Sequence, residues 1–428
     1  MTVTLIKTRA EQQLAEQFAA VEVLLPKAGP LGSERRSAMA EFGAAGLPHR
    51  RIEEWKYTDL RVALKEALPP ARPSWTLVTR AAIDKALGLL ADVEADRLVF
   101  VDGFHVTALS SIDDANEMTV ASRAPGPDWL SGTDGPMNAL NAAFATDGAV
   151  VRLPNGRASS KPLVVVFVST AETAQRVTTR NSIEVGRGSL TVIEAHVRIG
   201  AAKLQTSTAM RIRLGSGASV QHIKAVLEGE SGTHLSSCDV EIGTGASYRG
   251  FQLSAGTGLE RNTLSIAFTG PNAKLDLTGL MLGRNASHID TTLVVDHATP
   301  GCESRELYKA VLDGHARGVF QGKIMVQPIA QKTDGKQMAK ALMLSEDAEF
   351  DSKPELEIYA DDVVCGHGST VAEIDPAMMF YLQSRGIPKT EARAMLIESF
   401  VGEAIDKIED AAVREALMQM ARRWLTAD

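Results

Sequence analysis

The chain has 428 residues, 44% of them hydrophobic, which is enough for roughly two or three domains with a substantial buried core. Its 45 basic and 53 acidic residues give a net charge of −8, which argues against nucleic acid as a partner. No window of about 18 apolar residues is present, which argues against a membrane-spanning helix. Residues 1–11 carry Lys7 and Arg9 without the apolar core of a signal peptide, so we expect a cytoplasmic protein.

Two helices and a loop-rich stretch are predicted over residues 1–160, which we interpret as an N-terminal helical and mixed domain. Apolar residues recur at three- and four-residue steps over 8–25, which predicts an amphipathic helix ended by Pro26. A second helix is predicted over 33–45. Residues 103–135 are rich in Gly, Pro, Ser and Asp and are predicted to be mostly loop.

The stretch between these helices and the loops, G-L-P-H-R-R-I-E-E-W-K-Y-T-D-L at 46–60, is unusual in a chain with only 5% aromatic residues. We interpret Trp55 and Tyr57 as pinning a turn onto the N-terminal domain. Arg50, Arg51 and Glu53 would then form surface ion pairs, which are common and weak.

Residues 161–374 contain a regular repeat of short β-rich segments. Successive segments start 26 to 29 residues apart and are separated by glycine-marked turns; they begin near Ser182, Ala209, Ser237, Thr263, Ile289 and Gly318. Each unit has room for two strands and two turns, whereas a propeller blade of four strands needs about 40 residues. The repeat therefore predicts a parallel β-helix with one coil per unit, whose open end invites pairing with a second solenoid.

The β region passes into helices within residues 356–386. Alternation at Leu356, Ile358, Val363 and Val364 predicts a last strand, and Cys365 and His367 follow it. Residues i and i+2 share one face of a strand. A thiol and an imidazole at this spacing can therefore face the same metal ion or sulfur species.

Residues 375–428 are predicted to form a C-terminal helical domain. Asp375 is expected to cap its first helix, Pro376 to begin it and Gly386 to end it. Asp410 is expected to cap the last helix. The apolar stripe of these helices suits a lid on the solenoid, and its methionines equally suit a partner-binding surface.

The search for catalytic motifs finds no phosphate-binding loop, nucleophile elbow, H-E-x-x-H or EF-hand. Six histidines fall in or near the β coils and are interpreted as isolated hydrogen-bonded residues: His196, His222, His234, His288, His297 and His315. Four carboxylates could meet in a groove, as in carbohydrate-active β-helix enzymes, and this is the alternative function: Asp290, Asp296, Asp313 and Asp334.

The number and spacing of the cysteines limit where the chain could bind a metal ion. Cys238, Cys302 and Cys365 are an odd number, far apart and without a C-x-x-C pair, which predicts neither a disulfide framework nor a self-contained zinc site. Cys365 and His367 remain the best candidates for a metal or sulfur site. Further ligands would have to come from elsewhere, for example from another chain.

Three segments resemble the SufD members of the SufB/SufD family, which belongs to the SUF iron–sulfur cluster assembly machinery. The segments are Y-A-D-D-V-V-C-G-H-G-S-T-V-A-E-I-D-P at 359–376 and onward to 388, the motif at 46–60, and K-T-D-G-K-Q at 332–337. The resemblance implies a right-handed parallel β-helix flanked by N-terminal and C-terminal helical domains.

The same resemblance implies a non-enzymatic scaffold subunit. Such a subunit pairs with a SufB-type subunit through the β-helix and with a SufC-type ATPase through its C-terminal helices. Cys365 and His367 then lie at the nascent-cluster site facing the SufB-type partner. No cofactor is expected to bind the isolated chain tightly; a transient iron–sulfur cluster is expected in the complex. An isolated chain is expected to pair with a second copy of itself, or to serve as a structural solenoid without a metal role.

Overall fold

The protein is described by a computed structural model that covers residues 7–26, 28–73, 78–112, 118–120, 128–130, 135–159, 161–256 and 258–426. Parts of the N-terminal segment (1–6) and of the predicted loop region (113–117, 121–127 and 131–134) lie outside these residues. A parallel β-solenoid forms the centre, with helices before and after it, which confirms the mainly β fold.

Two parallel sheets form the walls of the solenoid. The first has ten strands, in the order β19-β17-β15-β13-β11-β9-β7-β5-β1-β2. Its strands are β1 (Asp96–Val101), β2 (Phe104–His105), β5 (Leu163–Ser169), β7 (Ser189–Arg198), β9 (Ser219–Leu227), β11 (Ser247–Ala255), β13 (Lys274–Gly283), β15 (Glu303–Leu312), β17 (Asp334–Met343) and β19 (Val364–Ala372).

The second sheet has nine strands, in the order β18-β16-β14-β12-β10-β8-β6-β4-β3. Its strands are β3 (Met118–Val120), β4 (Ala149–Leu153), β6 (Gln175–Val185), β8 (Leu204–Leu214), β10 (Gly232–Ile242), β12 (Leu259–Phe268), β14 (His288–His297), β16 (Arg317–Val326) and β18 (Glu349–Ile358). Strands β1 and β4, which precede residue 161, already pair in parallel with β5 and β6.

The repeat in the sequence is the coil of the solenoid. Leu214 pairs with Ile242, and Ile242 pairs with Phe268, so one coil takes about 26 to 28 residues here. Each coil supplies one strand to each sheet, which confirms two strands per unit. Because side chains alternate along a strand, every second residue enters one continuous apolar core between the sheets.

The N-terminal helices are α1 (Arg9–Val21), α2 (Ala28–Ala45), α3 (Leu60–Ala63), α4 (Arg80–Leu87) and α5 (Pro136–Phe144). The predicted first helix is confirmed, and Thr8 and Glu11 cap its start reciprocally. The second helix begins earlier than the predicted residue 33. Leu14, Phe18, Phe42 and Phe144 form a small core between α1, α2 and α5.

The C-terminal helices are α6 (Pro376–Ser384), α7 (Lys389–Ile405) and α8 (Ala411–Thr426). The Asp375 and Asp410 caps are confirmed, since each side chain accepts backbone N–H groups of its helix. The apolar stripe of α7 packs on strands β13 and β15 of the ten-stranded sheet, and α8 packs on α7 within the same apolar cluster, so the lid interpretation is confirmed. Within the described chain, no helix is both long and apolar enough to cross a bilayer.

Candidate functional site

Cys365 and His367 lie in β19, the edge strand of the ten-stranded sheet. The run predicted as one last strand is divided, because Leu356 and Ile358 belong to β18 in the other sheet. A turn separates the two strands, so the cysteine and histidine lie within the last strand instead of following it. The reason is that a coil must cross from one wall to the other after residue 358.

The register of β19 places both candidate ligands on its inward-facing side. Cys365 pairs with Gly335 and His367 with Gln337 of β17, and Cys365 packs against the internal core. The thiol is partly buried, whereas the imidazole is exposed. Since β19 is the last strand of the described residues and forms the edge of its sheet, these side chains occupy the open C-terminal end of the solenoid.

The surroundings of Cys365 keep its thiol protonated in the isolated chain. Burial raises its pKa, and the carboxylates of Asp334 and Glu306 raise it further, against a lowering by the backbone N–H of Gly335. A thiolate is the form that binds metals and attacks sulfur species. A metal ion or a positively charged group near the thiol would lower this pKa and favour the thiolate.

Beneath His367 a column of polar side chains runs into the solenoid. His367, Gln337 and Glu306 occupy successive coils at the same register position. The amide nitrogen and oxygen of Gln337 have no hydrogen-bond partner among the described residues, although the side chain is buried. Burial raises the pKa of Glu306 to about 8. In the sequence, Gln337 stands out only as part of a motif and Glu306 does not stand out at all. Inward-facing polar residues one coil apart are the signal that identifies them.

A second group of inward-facing polar residues lies nearer the N-terminal end of the solenoid. His196 Nε2 is 2.6 Å from Glu194 Oε1, and His222 Nε2 is 3.0 Å from Glu194 Oε2. Burial alone would raise the pKa of Glu194, but these hydrogen bonds outweigh it and hold the pKa well below its usual range. His234 bonds Glu228 over 3.1 Å. Stacking of coils thus gathers histidines that are far apart in sequence.

The four carboxylates of the alternative enzyme function have separate partners. Asp290 forms a buried ion pair with Arg261 of β12, and Asp296 accepts a hydrogen bond from Gln327. Asp334 pairs with Arg305, while Asp313 accepts from the Gly314 N–H in a corner turn. Such pairing is structural, and it gives no observation in favour of glycan cleavage.

The motif at 46–60 packs on the N-terminal helices, as predicted, since Leu47 and Leu60 belong to their core and Trp55 packs against it. The motif also docks on the solenoid, which the sequence interpretation did not include. The Arg261 guanidinium lies 4.5 Å from the centroid of the Trp55 ring, and it donates to the Glu54 carbonyl over 2.6 Å. Thr58 donates to the buried Asp290 carboxylate. The motif therefore connects the first helices to strands β12 and β14 of the solenoid.

Comparison with known proteins shows which protein family the chain resembles. Residues 167–400 match the family model for the SUF system FeS cluster assembly, SufBD core domain. This match spans the coils from β5 onward and includes both Cys365 and His367.

Relatives extend the similarity to most of the chain. The chain is 30% identical over 380 residues to the Escherichia coli iron-sulfur cluster assembly protein SufD, covering 87% of this chain and 88% of that protein. It is 29% identical over 416 residues to an iron-sulfur cluster assembly SufBD family protein of Synechocystis, covering 91% and 90% of the two chains. It is 25% identical to the chloroplastic protein ABCI7 of Arabidopsis thaliana over 90% of this chain and 84% of that protein. The chain belongs to the SufBD family of iron–sulfur cluster assembly proteins, as the resemblance predicted.

Proposed function

We propose that this chain is a non-enzymatic scaffold subunit whose open solenoid end, carrying Cys365 and His367, forms half of a site where an iron–sulfur cluster is built. The observation that carries the proposal is the position of this pair on the inward-facing side of an unpaired edge strand. Thiolate and imidazole are suitable ligands for iron, and two ligands leave positions for a partner.

The two ends of the solenoid differ in how they are protected. Its N-terminal end finishes in short antiparallel strands, β2 of two residues and β3 of three. Its C-terminal end finishes in β18 of ten residues and β19 of nine. Long unpaired edges are templates for pairing with another chain, so we assign the C-terminal end as the interface.

Within that end, β19 is the better pairing edge. Strand β18 carries Pro354 and alternating charged residues, which are features that block edge pairing. Strand β19, V-C-G-H-G-S-T-V-A, contains no Asp, Glu, Lys, Arg or Pro. Exposed apolar side chains lie on β19 (Val364 and Val371) and in the residues at the end of β18 and just after it (Ile358 and Tyr359). A SufB-type β-helix subunit that added a strand to β19 would cover this surface and face Cys365 and His367.

The helix α6 is the proposed contact for a SufC-type ATPase. None of its residues is buried, and Phe380 and Tyr381 are 75% and 55% exposed. Large exposed aromatic residues are typical of interface anchors. Because α6 follows β19 directly, movement imposed on it by an ATPase would reach the strand with the ligands. The cluster is cargo in this scheme, the isolated chain holds no tight cofactor, and assembly takes place in the cytoplasm.

The proposal is tested by reconstitution of the complex. This chain, a SufB-type subunit and a SufC-type ATPase are purified together, treated anaerobically with ferrous iron and sulfide, and examined by absorption spectroscopy. We expect Cys365→Ser combined with His367→Ala to lower the cluster yield by on the order of tenfold or more, because two first ligands are lost.

A matched pair of substitutions controls for nonspecific damage. The control combines Cys302→Ser with His315→Ala. In Cys302→Ser, the serine hydroxyl replaces the thiol beside the Gly270 carbonyl. His315 is an exposed residue of a corner turn, so His315→Ala leaves the core intact. This control should keep the cluster. Size-exclusion chromatography checks that both variants still form the complex. An unchanged cluster yield in the Cys365 and His367 variant would remove the proposed role of this site.

A further inference from the structure

A fully buried group of three potential metal ligands lies inside the solenoid, far along the chain from Cys365. One ligand atom each from His196, Glu228 and His234 lies within 4.8 Å of the other two, and the three side chains are 0%, 1% and 0% exposed. We propose that they form a binding site for one divalent transition-metal ion of the iron-to-zinc group. Two imidazoles and one carboxylate are a donor set found in both zinc and non-haem iron sites.

The hydrogen bonds around the two imidazoles prepare them as ligands. His234 Nδ1 faces Glu228 Oε2 over 3.1 Å, a separation at which a nitrogen and an oxygen can bind one ion, so the metal would replace the proton between them. His196 donates its Nε2–H to Glu194, which leaves the lone pair on His196 Nδ1 without a hydrogen-bond partner among the described residues. A carboxylate on one ring nitrogen and a free lone pair on the other is the usual arrangement of a metal-binding histidine. A buried lone pair without a partner is costly, and a metal ion would remove that cost.

Glu228 retains capacity for an ion. One oxygen accepts from the Thr206 hydroxyl over 2.8 Å and the other from His234. Each carboxylate oxygen can accept twice, so a further bond to a metal is available.

The electrostatic surroundings favour a divalent cation. Three buried carboxylates, Glu194, Glu228 and Glu260, all lie near the ammonium group of Lys224, and Arg198 is a second cation that acts on Glu228. If all five groups were ionised, one excess negative charge would remain, which favours binding of a cation. Buried charge without compensation is strongly unfavourable.

Bound there, the ion would connect neighbouring coils and stabilise the N-terminal half of the solenoid. His196 lies on β7, His234 on β10, and Glu228 directly follows β9. The turn after Glu228 exposes Glu230 and Ser231, so the site is one turn away from solvent at a corner. Opening of this turn, or loading during folding, would admit the ion. This site is independent of the proposed cluster site.

The experiment uses Co(II), whose visible absorption reports its ligands, on the full chain carrying Cys365→Ser and His367→Ala. That background removes the cluster ligands, so failure of this proposal and failure of the proposed function are distinguishable. The chain is unfolded and refolded with Co(II), freed of excess ion, and assayed for bound cobalt. We expect one Co(II) per chain, displaced by Zn(II) but unaffected by a large excess of Mg(II), because imidazole ligands do not suit Mg(II).

Substitutions then locate the site. His196→Gln and His234→Gln should each lower cobalt affinity by about tenfold or more. His297→Gln is the matched control, since His297 is an equally buried solenoid histidine that bonds Ser304, and it should bind cobalt normally. If a histidine variant fails to fold, Glu228→Gln, which has the same shape, is measured in its place. It should likewise lower the affinity for cobalt. Absence of bound cobalt in the parent chain, equal loss in the His297 variant, or displacement by Mg(II) would each overturn the proposal.

Discussion

At the scale of single residues, the inward-facing polar groups distinguish this solenoid from a purely apolar one. Glu306 is 3% exposed in the internal core, and burial raises its pKa to about 8. The cost of ionisation in a medium of low polarity outweighs the lowering of this pKa by Ser304 and Arg305, so the Glu306 carboxyl group stays protonated at neutral pH. Such a residue makes the stability of the fold depend on pH.

The free energy of unfolding should therefore fall as pH rises from about 4.5 to about 8. Below the ordinary value of 4.5, Glu306 is protonated in both the folded and the unfolded chain. Between 4.5 and about 8 the unfolded chain loses this proton while the folded chain keeps it, so the folded state binds more protons and its stability decreases with pH. Glu306→Gln should remove this decrease, improving stability relative to the parent by roughly 2–4 kcal/mol on going from about pH 5 to about pH 8.

Urea unfolding at several pH values measures this effect. The control is Glu303→Gln on the same strand, because Glu303 is exposed and its substitution should leave the pH profile unchanged. Parallel pH profiles for the parent and Glu306→Gln would show that Glu306 is ionised in the folded chain.

At the scale of elements, the helices α7 and α8 are attached to the solenoid by a continuous apolar contact. Val401, Ile405, Val413 and Leu417 are fully buried in the apolar cluster that joins α7 and α8 to the outer face of the ten-stranded sheet. The lid therefore contributes to the stability of the coils beneath it, while α6 remains free to contact another protein.

Truncation within this contact should be costly. Leu417→Ala removes a fully buried side chain from α8 and should lower the free energy of unfolding by about 2–5 kcal/mol. Met395→Ala in α7 is the control, because Met395 is 45% exposed and its loss should cost less than about 0.5 kcal/mol. Urea unfolding followed by circular dichroism compares the two. Similar losses in both variants would mean that the lid does not pack as described.

At the scale of the whole molecule, the two ends of the solenoid differ: short antiparallel strands close the N-terminal end, whereas no strand of the described residues pairs with the outer edges of β18 and β19. Each coil buries its apolar side chains against its neighbours, so a terminal coil without a cap leaves part of the core exposed. Val371 of β19 is 55% exposed for this reason, and the same surface surrounds His367.

A charge introduced on that surface should prevent assembly without unfolding the chain. Val371→Lys places an ammonium group on the proposed pairing edge, as natural edge strands do to block association. We expect it to weaken binding to a SufB-type subunit by at least about tenfold, measured by size-exclusion chromatography with light scattering of the mixture. Val23→Lys introduces the same charge at a 78% exposed position after α1 and should bind normally. If both variants bound the SufB-type subunit equally well, the interface would lie elsewhere. If Val371→Lys instead lost only its self-association, the edge would pair with a second copy of this chain.

The sequence by itself determined the elements whose signals are local. The spacing of β segments predicted the coil, and the residues Asp375 and Asp410 mark helix starts because a cap depends on neighbours within one turn. Cys365 and His367 were identifiable for the same reason, since their shared face follows from the alternation of a single strand.

Only the tertiary structure decided which distant residues meet. The register of parallel coils placed His196 beside His234, and Gln337 beneath His367, because a shift of one residue would turn either side chain to the opposite face. It also divided the predicted last strand between two walls and docked Trp55 on Arg261 of the solenoid. Contacts of this kind depend on how separate segments pack, and no spacing within one segment specifies them.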